Sequence, residues 1–361
     1  MDNETKLILQ KSVNDWCLDN TDLIQQLEQP KQNSVAANTL FDELNQLGLL
    51  SIFHDEETRS EISMLAEVGC QFAIHSASIA LMVVQQNLAC ALLAQAKLEA
   101  PLGWVALPLY DSVYEWSYQI QYEQKGKNTI TNGNWLSISL LPIATTLLLP
   151  IQAKDKTTSF AHISLSATAT KKNNIEISPA ITALGLRGAP SGDLKANGLS
   201  LSEDDLILNS TKDEDFVTNL WSQAEIYIMA IRSGIAESSY RTARDYATER
   251  YQGGKIIIEH SLIRKLLADF YREKSALEEN WRTFSQTISP DLSISDGLMG
   301  IALASAEKLP WLTSDGIQIL GGVGYMSDFI QERRFRDAKQ CEFLLGHPQA
   351  KAFSNWHADA S

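Results

Sequence analysis

Apolar residues recur at steps of three and four through the first hundred positions, a period that predicts helices. In segment 38–50, NTLFDELNQLGLL, they are Leu40, Phe41, Leu44, Leu47 and Leu50. Segment 61–98 continues with Ile62, Leu65, Val68, Phe72, Ile79, Met82, Leu88 and Leu92. From Trp104 to about Asn209 the texture changes. SYQIQYE (117–123) alternates polar and apolar positions, as a strand with one wet face does. Thr131-Asn132-Gly133 predicts a hairpin turn, because Asn-Gly tolerates positive φ. Runs at 144–153 (ATTLLLPIQA), 159–165 (SFAHISL) and 197–208 (NGLSLSEDDLIL) predict further strands of an antiparallel sheet.

From Asp213 the helical period returns. Val217, Trp221, Ala224, Ile228, Ile231 and Ile235 form a bundle-type seam on a helix running to Arg250, about 55 Å long at about 1.5 Å per residue. A second helix carries Ile263, Leu266, Leu267, Phe270, Leu277, Trp281 and Phe284 and ends near Pro290; a third covers about 295–319, with Pro310 expected to kink or break it. The chain therefore reads as mostly α with a central antiparallel β domain: an N-terminal helical domain (1–103), a middle β domain (104–212) and a C-terminal helical bundle (213–361).

At 361 residues, 44% hydrophobic and 20% charged, the chain can bury a large core. A net charge of -14 argues against a nucleic-acid surface, since phosphate neutralisation needs clustered Lys and Arg. An anionic ligand would need a local basic site set against that field. Cys17, Cys70, Cys90 and Cys341 are scattered without metal spacing, which predicts buried free thiols and no metal site. The start, MDNETK, is acidic where a signal peptide is basic, and the apolar run Leu140 to Ile151 is too short to span a bilayer. A cytoplasmic protein without a membrane span is expected.

Candidate chemistry sits mainly in the last third. Glu249-Arg250-Tyr251-Gln252-Gly253-Gly254 closes the long helix. An arginine fork at a chain turn suits a pyrophosphate, and a Gly-Gly pair lets backbone N–H groups approach an anion. The alternative is a surface arginine on a frayed helix end with a glycine cap. Gln318-Ile319-Leu320-Gly321-Gly322-Val323-Gly324-Tyr325 places close glycines at another helix end, where a dinucleotide or a second backbone can come into contact. A Rossmann reading fails because no strand–GxGxxG–helix context surrounds it. Glu332-Arg333-Arg334 and Arg336-Asp337 read as a salt-linked structural helix.

Taken together, these stretches resemble the acyl-CoA dehydrogenase superfamily. The first is similar to that family's Glu-Arg-x-Gln-Phe-Gly motif, with Gly253 in place of Phe. The second, followed by Glu332-Arg333 and Arg336-Asp337-Ala338-Lys339, is similar to its C-terminal signature. In the sheet, Thr131 to Ser139 is similar to Leu-Asn-Gly-x-Lys-x-Trp-Ile-Thr, with Ser137 at the Trp position and Ser139 keeping a hydroxyl at the Thr position. Gly185-Leu186-Arg187-Gly188 is similar to the Gly-x-Arg-Gly segment before the last strand, and is read as fold evidence only. Of the family's flavin loop only Ala106-Leu107-Pro108 persists. The resemblance implies an N-terminal helical domain, a β-barrel or sandwich and a four-helix bundle. It implies FAD held through Arg250, Gln252, Gln318, Gly321, Gly322, Ser139 and Gln349, the bundle residues serving a neighbouring subunit's flavin. It further implies an acyl-CoA or related thioester as substrate.

That chemistry needs a carboxylate to take the α-proton while the flavin takes hydride from the β-carbon. Six residues past Lys339, where the family carries the Glu, stands Leu345. Other members place it on the long helix 26 residues before the arginine, which is Ala224. Glu225 is adjacent but about 100° away in helical rotation, and Glu342 is the other fallback base. The backbone N–H of Leu345 remains as a donor toward a thioester carbonyl. Three readings follow: an FAD-dependent oxidoreductase acting on CH–CH of an acyl thioester with an atypical or relocated base; a non-catalytic subunit contributing to the flavin site of a heteromeric dehydrogenase; or an FAD-free pseudoenzyme. The family norm implies a homodimer or homotetramer, or a heteromer with a second acyl-CoA dehydrogenase subunit.

Overall fold

The computed structural model describes residues 3–29, 33–54, 62–110, 122–125, 128–152, 158–166, 174–208, 210–287 and 296–359. Helices α1 (Asn3–Asp19), α2 (Thr21–Leu27) and α3 (Asn33–Gln46) lead to α4 (Ile62–His75) and α5 (Ala77–Gln95). The apolar stretch expected to continue through 61–98 is thus two helices. Ser76 separates them: its extended backbone leaves the helix and its hydroxyl caps the Ile79 N–H. Helix α5 is long and apolar enough to cross a membrane, but 94% of that stretch is buried inside the protein.

Polar residues within α5 explain how the helices grip the sheets. Gln85 donates to the carbonyls of Val105 and Ser139, and Gln86 exchanges hydrogen bonds with Gly103 and Val105. Asn87 binds Leu49 and Phe53 of the preceding segment. A buried amide is costly unless paired, so these side chains fix the register of α5 against the chain that follows.

Two sheets come next. One has the order β1 (Val105–Ala106), β4 (Thr146–Gln152), β5 (Thr158–Ser164), β8 (Leu206–Ile207), antiparallel except for the parallel β1–β4 pair. The other is antiparallel: β2 (Tyr122–Lys125), β3 (Asn128–Ser139), β7 (Ser191–Leu201), β6 (Ile175–Ile177). Their inner faces form one core, with Leu147, Leu149 and Ile151 meeting Trp135, Ile138 and Leu194. Leu148 points the other way into the helical core, so β4 is apolar on both faces.

The expected turn at Thr131–Gly133 is not a turn. These residues lie inside β3 at a register shift, where Asn132 accepts from the Gly198 N–H at 2.6 Å; β2 and β3 are joined at 126–127, outside the described residues. Asn-Gly here supports a bulge, the other use of its backbone freedom. Of the segment expected as a strand at 117–123, only 122–123 are described, and they belong to β2.

Helix α6 (Thr211–Glu249) opens with a Ser210–Asp213 capping box and buries all six seam residues. It packs against α4 so tightly that a Cβ on Gly234 would stand 2.3 Å from the Cys70 carbonyl oxygen. Helices α7 (Ser261–Thr287) and α8 (Asp296–Leu320) complete the bundle against α6. Pro310 does not break α8. Leu309, Leu312 and Thr313 around it are buried, and the Thr313 hydroxyl donates to the Leu309 and Pro310 carbonyls. Helices α9 (Gln331–Cys341) and α10 (Pro348–Asp359) follow. The four cysteines are free and buried.

Candidate functional site

Two of the sequence motifs meet at one end of the bundle. Arg250 caps α6 in an extended conformation, and the chain turns through a small hairpin, β9 (Tyr251–Gln252) with β10 (Lys255–Ile256). Gly253 and Gly254 make that turn at φ of 66° and 84°, a region that disfavours side chains. A histidine-ring nitrogen of His260 binds the Gln252 carbonyl at 3.0 Å and braces the hairpin. Helix α8 ends beside it. Ile319 and Leu320 share a small core with Ala243, Ala247 and Ile257, which brings the 249–257 and 318–325 stretches together. Arg250, Gln252, Gln318, Gly321 and Gly322 are all exposed. The Arg250, Gln252 and Gln318 side chains make no hydrogen bond or ion pair among the described residues. A guanidinium, two amides and bare glycine backbone can receive an anionic, hydrogen-bonding ligand arriving from outside the chain.

The positions expected to host catalysis lie elsewhere and are closed. Leu345 follows α9 in a left-handed conformation (φ 62°) and is 2% exposed. Its N–H is not free for a ligand carbonyl: it donates to the Leu109 carbonyl at 2.6 Å. Ala224 is fully buried on α6. Glu225, rotated away as helical geometry requires, forms a buried ion pair with Lys351 of α10. Glu342 is paired with Lys339 at 2.8 Å, one turn back. Ser139 ends β3 with its hydroxyl sealed and unpartnered, while its carbonyl receives the Leu107 N–H at 3.3 Å. Gln349 is exposed on α10, its N–H donating to His347 Nδ1. No group of three or more potential metal ligands occurs among the described residues.

Two features escaped the sequence reading. Arg232, 1% exposed, donates from α6 to the Ala302 and Cys341 carbonyls and the Ser305 hydroxyl. Its only signal was a charge inside the apolar seam. It ties the end of α9, just ahead of Leu345, to α6 and α8. The second is a junction. Asp337 accepts the Leu186 N–H at 2.7 Å, Arg336 donates to the Leu184 carbonyl, and Gly188 donates to Ser78, whose hydroxyl binds Glu28. Burial, then the nearby Glu28 carboxylate, push Asp337 up to about 7 against the opposing pull of Arg333, the Leu186 N–H and Arg336. The Arg-Asp stretch is therefore a clamp on the 184–188 loop, more than a salt-linked helix; Arg336 does pair with Glu332 at 2.7 Å.

The family described as acyl-CoA dehydrogenase, C-terminal domain, matches residues 221–350. Over that C-terminal stretch the chain is similar to the acyl-CoA dehydrogenase superfamily. Among curated relatives, cyclohexane-1-carbonyl-CoA dehydrogenase of Syntrophus aciditrophicus (strain SB) is 28% identical over 172 residues, 46% of this chain and 43% of that protein. The 3-sulfinopropanoyl-CoA desulfinase of Paraburkholderia xenovorans (strain LB400) is 26% identical over 173 residues, 47% of this chain and 44% of that one. Matches of this kind span less than half the length of those relatives. The fold extends further: glutaryl-CoA dehydrogenase from Mycobacterium smegmatis, solved in complex with FADH2, superposes at a TM-score of 0.81 with 13% identity, covering 99% of this chain and 95% of that one.

Within this acyl-CoA dehydrogenase fold, the residues expected to touch a flavin divide sharply. Those on the bundle end are exposed, and their side chains are unpaired among the described residues. The strand serine is buried with its hydroxyl unpartnered, and the two base positions are buried and apolar. The outer edge fits a dinucleotide's phosphates. The inner seat, with Ser139 sealed and the Leu345 N–H taken, does not fit an isoalloxazine and a thioester.

Proposed function

We propose that this chain is a non-catalytic subunit of a heteromeric acyl-CoA dehydrogenase-type flavoprotein, lending Arg250, Gln252 and Gln318 to FAD seated in a partner with an intact base. The observation that carries this reading is the hydrogen bond from Leu345 to Leu109. It occupies the donor that would polarise a thioester, in a position that has no carboxylate. A relocated base is disfavoured because Glu225 and Glu342 each hold a lysine. The acyl-CoA then belongs to the partner's site, and a cytoplasmic setting suits the complex.

Flavin absorbance between 350 and 500 nm tests the proposal. The chain purified alone should be colourless. Co-expressed with an acyl-CoA dehydrogenase chain that carries the catalytic Glu, it should co-purify with flavin, and Arg250→Ala should strip most of that colour. Stoichiometric flavin on the isolated chain, bleached by an acyl-CoA, would overturn the reading in favour of an independent oxidoreductase. No flavin under either condition would leave the FAD-free pseudoenzyme.

A further inference from the structure

A cavity of about 240 Å³ lies between the turn after β3, the loop joining β6 to β7, which carries Leu186 and Arg187, and the start of α3. Pro142, Ile143, Ile181 and Leu186 give it apolar walls, and Ser34, Thr182 and Ser191 bring hydroxyls. Ser191 lines the cavity and is only 6% exposed. Its backbone is committed: its carbonyl receives the Ile181 N–H at 2.9 Å. Arg187 lines the rim, its Nε donating to the Ala183 carbonyl at 3.1 Å, which holds the guanidinium in place.

The site is preformed. Leu186 is tied to Asp337, and Gly188 to Ser78, so the loop that carries Arg187 is clamped on both sides of it. A preformed, largely apolar cavity with a few convergent polar groups has the general make-up of a small-molecule site. Among the described residues no carboxylate, imidazole or thiol lines it, so they offer recognition without proton transfer or nucleophilic attack.

We propose that this cavity binds a small amphipathic carboxylate, its apolar body against Ile143, Ile181 and Leu186 and its charge at the Ser191 hydroxyl and the Arg187 guanidinium. A cavity of about 150 Å³ accepts benzene, so this one takes a ligand of about ten non-hydrogen atoms. The inference is independent of the subunit role proposed above.

Phenylacetate and phenylacetamide, equal in size and different in charge, are the probes, titrated into the full chain by calorimetry with ligand-observed NMR as the second readout. Phenylacetate should bind in the millimolar range and the amide about tenfold more weakly. Arg187→Gln should erase the difference between them. Ala180→Phe, on the exposed loop at the cavity edge, should weaken both without lowering the melting temperature. Ser191→Val should weaken the acid more than the amide. Equal affinity for acid and amide in the unaltered chain would overturn the proposal, as would unchanged binding by Ala180→Phe or no saturation by phenylacetate at about 20 mM.

Discussion

Removing Lys351 tests how Glu225 is used. The two side chains are 5% and 3% exposed, and one Glu225 oxygen has no hydrogen-bond partner. Lys351→Met therefore leaves a carboxylate in a low-dielectric interior. Breaking a buried pair from one side costs about 3–5 kcal/mol. Unfolding entropy of about 2.1 cal/mol/K per residue gives about 0.75 kcal/mol/K for this chain, so the melting temperature should fall by about 4–7 °C if it melts as one unit. Adding Glu225→Leu removes the stranded charge and should bring stability back to within about 1 kcal/mol of the original. The assay is a double-mutant cycle by denaturant and thermal unfolding, with an expected coupling of about 2 kcal/mol or more. Single losses that simply add would mean the two groups do not interact. In a flavin-loaded complex whose partner has lost its catalytic Glu, Lys351→Met should show no thioester dehydrogenation, because Glu225 stays about 100° of helical rotation from the direction of Ala224. Turnover by that variant would revive the relocated base and refute this account of the site.

Three further outcomes are expected. Asp337 holds its proton more tightly folded than unfolded, so its contribution to stability is full below about pH 4 and fades as pH rises through about 7; the melting temperature should drop between pH 5 and 8, and Asp337→Asn should flatten that part of the profile. Gly185→Ala would put a Cβ 2.2 Å from the Arg336 carbonyl oxygen, so loss of at least about 2 kcal/mol, or failure to accumulate as soluble protein, is expected; a variant of unchanged stability would show that the loop and α9 are not in contact. Leu345→Glu should yield no dehydrogenase activity in a flavin-loaded complex whose partner has lost its catalytic Glu, and cost about 3 kcal/mol or more in denaturant unfolding, since it buries an unpaired carboxylate. Activity with preserved stability would mean the chamber is open.

The overall order of helices, sheets and helices was legible because each rests on a short-range period. The seam from Val217 to Ile235 is buried at every position. Where the reading failed, tertiary context overrode a local preference. Asn132-Gly133 favours positive φ wherever the chain needs it, and only pairing with β7 determines that the need is a bulge. Pro310 disfavours a helix by a fixed local cost, which burial of the adjoining turns outweighs. Chemistry divided along the same line. The exposed Arg250 and Gln318 stand in local stretches whose family resemblance singles them out. The closure of Leu345 by Leu109 joins positions 236 residues apart (345 minus 109) and leaves no mark in either local stretch. Arg232 and the Gln85-Gln86-Asn87 run were visible as polar residues in apolar surroundings, but their partners were not.

The uneven erosion of the site has a physical logic. An inward-facing reaction chamber is stable when empty only if its charges are paired and its voids filled, because an isolated buried carboxylate and an unfilled cavity each cost several kcal/mol. Leucine at 345, alanine at 224 and the Glu225–Lys351 pair meet both demands. Arg250, Gln252 and Gln318 face water, where a free polar side chain carries no comparable cost. Stability alone would thus allow them to drift but gives no reason for an arginine, two amides and two glycine turns from separate helices to stay assembled at one end of the bundle. A ligand presented by another molecule gives that reason, and it is the same reason the isolated chain should be colourless.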